Sequence, residues 1–153
     1  MNMNLSLPQG PWAPALSVVV PACNEAGSLP ALIDEVDAAL RSVAAYEIIV
    51  VDDASDDATG AVLAAAAPTR PQLRVLRHRA RSGQSAALRS GVKAARAEWI
   101  ATLDGDGQND PADLLRLLQA RTGAANDVRL FAGWRVDRQD SASKRWASAF
   151  ANA

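Results

Sequence analysis

Apolar and polar positions along the chain alternate between two kinds of stretch. Four short apolar runs have the length and β-branched content of buried strands: Leu16-Ser17-Val18-Val19-Val20, Tyr46-Glu47-Ile48-Ile49-Val50-Val51, Leu73-Arg74-Val75-Leu76 and Trp99-Ile100-Ala101-Thr102-Leu103. Helical patterns lie between and after them. Leu29, Leu32, Ile33, Val36, Leu40 and Val43 recur at helical spacing with Asp34, Glu35 and Arg41 between them, which predicts a helix packed on a sheet. An alanine-rich second helix has candidate caps from Ser55 to Asp57 and runs to Ala67, where Pro68 terminates it. A third follows Gly83, with Ala86, Ala87, Leu88, Val92, Ala94 and Ala95. A fourth is capped by Asp110, carries Pro111 at its first position and Asp113 in its first turn, and ends at Gly123. Val128 to Gly133 predicts a fifth strand.

Strands alternating with helices predict an α/β fold, a mostly parallel sheet with helices on both faces. Pro21 ends the first strand in this reading, and the strand ends at Pro21, Asp52 and Asp104 fall on one edge. In open parallel sheets that edge binds ligands. Residues 1–15, broken by Pro8, Gly10, Pro11 and Pro14, read as a flexible arm, and residues 16–153 as the folded part.

Composition narrows the class without naming it. The chain has 153 residues, 49% hydrophobic and 22% charged, with a net charge of −1, ordinary values for one soluble domain. Charge is unevenly spread. Residues 24–57 carry Glu25, Asp34, Glu35, Asp37, Glu47, Asp52, Asp53, Asp56 and Asp57 against Arg41. Residues 70–96 carry Arg70, Arg74, Arg77, Arg79, Arg81, Arg89, Lys93 and Arg96 and no acid. Two faces that attract each other account for most of this pattern. A nucleic-acid partner is not expected, because the basic stretch lacks aromatic stacking residues. Cys23 is the only cysteine, so no intrachain disulfide forms. Met1 to Ala15, without a basic region and with three prolines, does not read as a signal peptide, and no run reaches the roughly 20 apolar residues that span a bilayer. No G-x-G-x-x-G follows the first strand and there is no Walker A loop, which speaks against a dinucleotide-binding domain or a P-loop ATPase.

The chemistry concentrates in Asp104-Gly105-Asp106-Gly107-Gln108-Asn109-Asp110-Pro111, at the carboxyl end of the fourth strand. Two carboxylates two residues apart can face one space, and the intervening glycines let the backbone bend and approach a ligand. With the amide oxygen of Gln108 they make a hard-oxygen set suited to Mg²⁺ or Mn²⁺. Two unit charges about 4 Å apart interact by roughly 4 kcal/mol at an effective dielectric near 20, so the pair repels a diphosphate without a cation and anchors it with one. A turn-rich loop explains the same residues equally well when the motif stands alone.

Four motifs in order resemble the inverting family 2 glycosyltransferases of GT-A fold, and within them the polyprenyl-phosphate sugar transferases of the dolichol-phosphate mannose synthase type. They are Val18-Val19-Val20-Pro21-Ala22-Cys23-Asn24-Glu25, Ile49-Val50-Val51-Asp52-Asp53-Ala54-Ser55-Asp56-Asp57, Gly83-Gln84-Ser85-Ala86-Ala87-Leu88-Arg89-Ser90-Gly91, and the Asp104 to Pro111 stretch. The resemblance runs from Leu16 to about Ser148. It implies that Pro21, Cys23, Glu25, Asp53, Gly83, Asp104 and Gly105 border the donor nucleotide, with Glu25 or Asp53 accepting from base or ribose. An aromatic residue often stands where Cys23 does, so base contact differs there. Asp104, Asp106 and Gln108 match the positions that hold Mg²⁺ or Mn²⁺.

Gly133-Trp134-Arg135 and Arg145-Trp146-Ala147-Ser148 resemble the family's G-x-R and R-x-x-S. The resemblance thus puts Arg135 and Arg145 beside Asp104 and Asp106 in the catalytic set, facing phosphate of donor or acceptor. The implied activity transfers a sugar from a GDP- or UDP-linked donor to a polyprenyl phosphate at the membrane surface. The location implied is cytoplasmic, peripheral at the membrane or anchored to it through a C-terminal part. Two alternatives stay open: a transferase acting on a sugar hydroxyl, and a nucleotide-binding fragment without catalysis. The chain stops at Ala153 inside a helical pattern, so it reads as partial; Trp146, Ala149 and Phe150 form an apolar stripe beside Lys144 and Arg145 that reads as core, with contact to a membrane surface as the alternative.

Overall fold

The computed structural model describes residues 14–42, 45–125 and 127–133. Strands β1 (Leu16–Ala22), β2 (Tyr46–Asp52), β3 (Leu73–Arg77) and β4 (Trp99–Thr102) form one parallel sheet in the order β3-β2-β1-β4. Helix α1 (Leu29–Leu40) joins β1 to β2, α2 (Thr59–Ala66) with a short 3₁₀ turn (Ala67–Thr69) joins β2 to β3, α3 (Gln84–Ala94) joins β3 to β4, and α4 (Asp113–Thr122) follows β4. The α/β class and the order of the first eight elements are those the hydrophobic pattern predicts.

Alternate strand residues face opposite sides of the sheet, so β1 and β2 feed two cores. Val18, Val20, Ile48 and Val50 pack with Leu29, Leu32, Ile33, Val36 and Leu40 of α1, Leu63 of α2 and Leu114 of α4. On the other face Val19, Ile49 and Val51 pack with Ala87 of α3. A side chain at Gly91 would run into that of Val19, so the absence of one lets α3 lie close on the sheet.

The charge pattern resolves into ion pairs. Arg70 pairs with Asp34 at 2.5 Å and with Asp37, Arg74 with Glu47 at 2.6 Å, Arg77 with Asp52 at 3.4 Å, and Arg81 with Asp56 at 3.6 Å. Every acid in these pairs comes from residues 24–57. Arg79, Arg89, Lys93 and Arg96 are exposed.

Several boundaries differ from the sequence reading. β1 does not stop before Pro21; Pro21 pairs with Val51 and Ala22 with Asp52. In a parallel strand alternate residues address alternate neighbours. The Val19 carbonyl accepts from Leu103 on the β4 side, and Ala22 accepts from Asp53 on the β2 side. Pro21 therefore addresses the β4 side just where β4 has ended, and its missing N–H leaves no ladder bond unmade.

The expected fifth strand is absent: residues 128–133 join no ladder, Leu130 is 81% exposed, and Phe131 packs tilted on Trp99 with ring centroids 6.1 Å apart. Its apolar side chain covers the edge of the sheet instead of extending it. α2 and α4 begin later than their caps suggested. Asp57 and Asp110 accept the amides of Thr59 and Ala112, closing a turn ahead of each helix. The Val43 end expected for α1, and residues 1–13 of the arm, lie outside the described residues; Pro14 is buried and the Ala15 amide bonds the Ala45 carbonyl. Among the described residues no helix is long and apolar enough to cross a membrane.

Candidate functional site

The carboxyl ends of β1, β2 and β4 open onto a cleft of about 310 Å³ lined by Pro21, Ala22, Cys23, Glu25, Asp53, Gln84, Ala87, Asp104, Gly105 and Asp106. Seven of these were singled out from sequence: Pro21, Cys23, Glu25, Asp53, Asp104, Gly105 and Asp106. Gly83 stands one residue before Gln84 with φ at +90°, the turn that starts α3. Gln108 is exposed and does not line the cleft. Arg135 and Arg145 lie outside the described residues.

Two loops that leave the sheet side by side form one wall. After β1, Asn24 turns back with φ at +61°, a conformation Asn tolerates better than most residues. Its side chain donates to Asp56 Oδ1 at 2.6 Å and accepts the Asp56 amide at 3.0 Å, while its own amide reaches Ser55 Oγ at 2.9 Å. The Glu25 amide bonds Thr59 Oγ1 at 2.9 Å, which lashes the loop to the start of α2. Ser28 lies between the Glu25 carboxylate at 2.8 Å and the Gly105 carbonyl at 2.7 Å, so one hydroxyl joins the β1 loop to the loop after β4.

That second loop carries the acidic motif. Gly105 passes against β1, and any Cβ there would stand 2.8 Å from the Pro21 carbonyl oxygen. The contact holds the two flanking carboxylates at the cleft. Asp104 accepts from Gln84 Nε2 at 2.8 Å and from Asn109 Nδ2 at 3.3 Å. Asp106 is exposed and accepts the Gln108 amide at 3.0 Å. Among the described residues no three His, Cys, Asp or Glu side chains close around a metal position. Two carboxylates beside open space still suit a hard cation that keeps water and takes its remaining oxygens from a phosphate, which is the habit of Mg²⁺.

Asp52 and Asp53 do different work because successive strand residues point to opposite faces. Asp52 is fully buried, accepts the Ser55 amide at 2.9 Å and faces Arg77. Asp53 turns to the cleft, yet its carboxylate is already engaged. It accepts from His78 Nδ1 at 2.7 Å, from the Ser82 amide at 2.9 and 3.0 Å and from the Gly83 amide at 2.6 Å. Burial pushes its carboxyl upward, but the His78 bond and the two amides outweigh that and hold it below its ordinary value of 3.8.

His78, Gln84 and Ser28 carry contacts that the motif reading did not assign. Gln84 was inside a quoted motif. His78 had no such signal, because it meets Asp53 only through the register that sets Arg77 opposite Asp52.

Comparison with known proteins is consistent over most of the chain. Residues 17–150 match the model of Glycosyl transferase family 2. The chain is similar to undecaprenyl-phosphate 4-deoxy-4-formamido-L-arabinose transferase of Pseudomonas paraeruginosa, 39% identical over 140 residues, covering 90% of this chain and 40% of the relative. The protein of that name from Sodalis glossinidius is 40% identical over 141 residues, covering 90% and 42%. The chain thus spans about two fifths of these relatives' length.

Among solved structures, mannosyltransferase PcManGT from Pyrobaculum calidifontis, in complex with GDP-Man and Mn²⁺, superposes with a TM-score of 0.54 at 28% identity over 63% of this chain and 28% of that one. S. aureus TarS 1-349 in complex with UDP-GlcNAc superposes with a TM-score of 0.56 at 20% identity over 76% and 37%, a likeness of fold. The fold expected from the sequence, GT-A, is the fold of these neighbours.

Proposed function

The chain belongs to glycosyl transferase family 2, and from that premise we propose that it forms the donor side of an inverting, metal-assisted transferase. The reaction moves a sugar from a GDP- or UDP-linked donor to a polyprenyl phosphate such as undecaprenyl phosphate. One observation carries the reading. Three strand ends converge on a single cleft in which Asp104 and Asp106 flank a glycine held against the end of β1. The names of the relatives favour a lipid phosphate over a sugar hydroxyl as acceptor, and the Mn²⁺ and GDP-Man of PcManGT favour a metal-bound donor.

Asp104 and Asp106 are the residues that would hold Mg²⁺ or Mn²⁺; Gln108, outside the cleft lining, is left out of the set. When bound there, a divalent cation would supply the positive charge that offsets charge developing on the departing diphosphate. Gln84 holds Asp104 in place by its amide, and Gly105 keeps both carboxylates at the cleft. Pro21, Ala22, Cys23 and Glu25 form the wall against which the nucleotide lies. Arg135 and Arg145 supply planar, permanently charged forks for the phosphates of donor and acceptor. A phosphate acceptor is already anionic near neutral pH, so alignment replaces a general base. The site works at the cytoplasmic face of the membrane, where a polyprenyl phosphate presents its head group.

Thermal-shift titration with GDP and with UDP, each with Mn²⁺ or with chelator, tests the donor site. Ligand at about 100 times its dissociation constant adds roughly 2.7 kcal/mol of stability. The expected result is a Mn²⁺-dependent shift with one nucleotide that Asp106→Ala abolishes. A folded chain that shifts with neither nucleotide overturns the reading.

A further inference from the structure

His78 is the single histidine of the chain, and the transfer chemistry proposed above gives it no part. It sits just after β3, mostly buried, with both ring nitrogens occupied. Nδ1 lies 2.7 Å from Asp53 Oδ1 and Nε2 lies 2.9 Å from Ser90 Oγ on α3. A serine, histidine and aspartate in this order resemble an acyl-transfer relay, but neither Ser90 nor His78 lines the cleft. The hydrogen bonds lead elsewhere.

From Asp53 they continue into the backbone. The same carboxylate that takes the His78 proton donor also accepts the amides of Ser82 and Gly83. Gly83, in a left-handed conformation, is the residue from which α3 starts, and the next residue, Gln84, donates to Asp104. Asp53 is therefore a hub between the β3 loop and the acidic motif. With an ionised carboxylate that only accepts, the Nδ1 atom must carry the proton. Nε2 then either accepts from the Ser90 hydroxyl, when the ring is neutral, or donates to its oxygen, when the ring is charged. The Asp53 bond survives in both states.

We propose that His78 is a positioning residue of the donor site: through Asp53 it fixes the Ser82–Gly83 backbone, and through Gln84 it fixes Asp104. The role rests on the donor-site reading given above. Held by three donors, His78 Nδ1 and the amides of Ser82 and Gly83, this carboxylate organises the wall of the cleft that it lines.

Two replacements discriminate, because an Asn amide nitrogen stands where Nδ1 does and a Gln amide nitrogen where Nε2 does. H78N keeps the donor to Asp53 and loses Ser90; H78Q keeps Ser90 and loses Asp53. Amide hydrogen exchange and binding of GDP and UDP with Mn²⁺ are measured on the whole chain. In H78Q the amides of Ser82 and Gly83 are expected to exchange about tenfold faster or more, the factor that loss of a hydrogen bond to a charged group implies, while β1 and β2 stay protected. Mn²⁺-dependent nucleotide binding weakens with them. H78N matches the unsubstituted chain in both. Equal exchange in H78N and H78Q overturns the inference. So does nucleotide binding that stays at the unsubstituted level in H78Q although exchange has quickened. Failure of the unsubstituted chain to bind either nucleotide removes the donor reading itself, and the positioning role with it.

Discussion

Gly105 crosses the end of β1 so closely that a Cβ at this position would lie 2.8 Å from the carbonyl oxygen of Pro21 and 3.5 Å from Ala22 Cα and Cβ. The nearest obstacle is backbone in a central strand, which cannot swing away as a long side chain can. Gly105→Ala is expected to cost about 1–3 kcal/mol of stability, as overpacking elsewhere does, and to push Asp104 and Asp106 out of the cleft. Urea denaturation measures the first effect and Mn²⁺-dependent nucleotide binding the second. Unchanged stability together with unchanged binding would show that the contact imposes nothing.

Ala54 presents the reverse case. It follows Asp53 with φ at +55°, in a region that L-residues with a Cβ enter at a cost. That cost is about 1–2 kcal/mol, whereas glycine loses only about 0.5–1 kcal/mol of extra entropy on folding. Ala54→Gly is therefore expected to stabilise the fold by up to about 1 kcal/mol, and Ala54→Val, whose branched side chain tolerates this conformation worse, to destabilise it. Paired denaturation curves check the sign. A less stable glycine variant would mean that the Ala54 side chain makes a compensating contact.

Much of this arrangement was legible because it depends on local pattern plus one topological rule. Apolar runs and helical spacing predict alternating elements, parallel pairing puts strand ends on one edge, and the carboxylates after β2 and β4 then meet. Relations fixed by tertiary register were not legible. Asp53 reads as an open carboxylate in the sequence, but the pairing of β2 with β3 sets His78 against it, 25 residues away. Pro21 reads as a strand terminator, yet it is tolerated because β4 ends at Thr102, before a bond to it would be needed. Val128 to Gly133 has strand composition, but an apolar run does not show whether its side chains extend the sheet or, like Phe131, pack on a half-buried tryptophan at its edge.

Two buried carboxylates set the acid limit of the fold. Burial pushes Glu47 upward, but Arg74 at 2.6 Å, the Ser17 hydroxyl at 2.7 Å and the Arg96 amide at 2.7 Å outweigh it and hold the group below its ordinary 4.5. Asp53 is held below 3.8 in the same manner. A carboxyl depressed in the folded state contributes stability that is complete above its unfolded value and disappears as pH falls through the folded one. Stability should therefore decline as pH drops below 4.5. Glu47→Gln, which also leaves Arg74 without its anion, is expected to lose about 2 kcal/mol near neutrality and to show a shallower decline in acid. An acid limb equally steep in the variant would assign the loss to other groups.

Tyr46 sets a limit on the alkaline side. Burial raises its phenol, and a hydrogen bond of 3.0 Å to Asp37, with the repulsion of that carboxylate, raises it further, to about 12 from an ordinary 10.0. The folded state holds this proton more tightly than the unfolded state. Its contribution to stability is thus whole below pH 10 and is lost as pH climbs from 10 towards 12. Tyr46 is the only tyrosine, so the phenolate absorbance of the folded chain reports it alone. The expected titration midpoint is near 12, falling towards 10 in Asp37→Asn, which retains an acceptor but removes the repelling charge. Tyr46→Phe should abolish the part of the alkaline stability loss that begins near pH 10. A midpoint near 10 in the native chain would mean that the phenol is not held by Asp37 at the foot of β2.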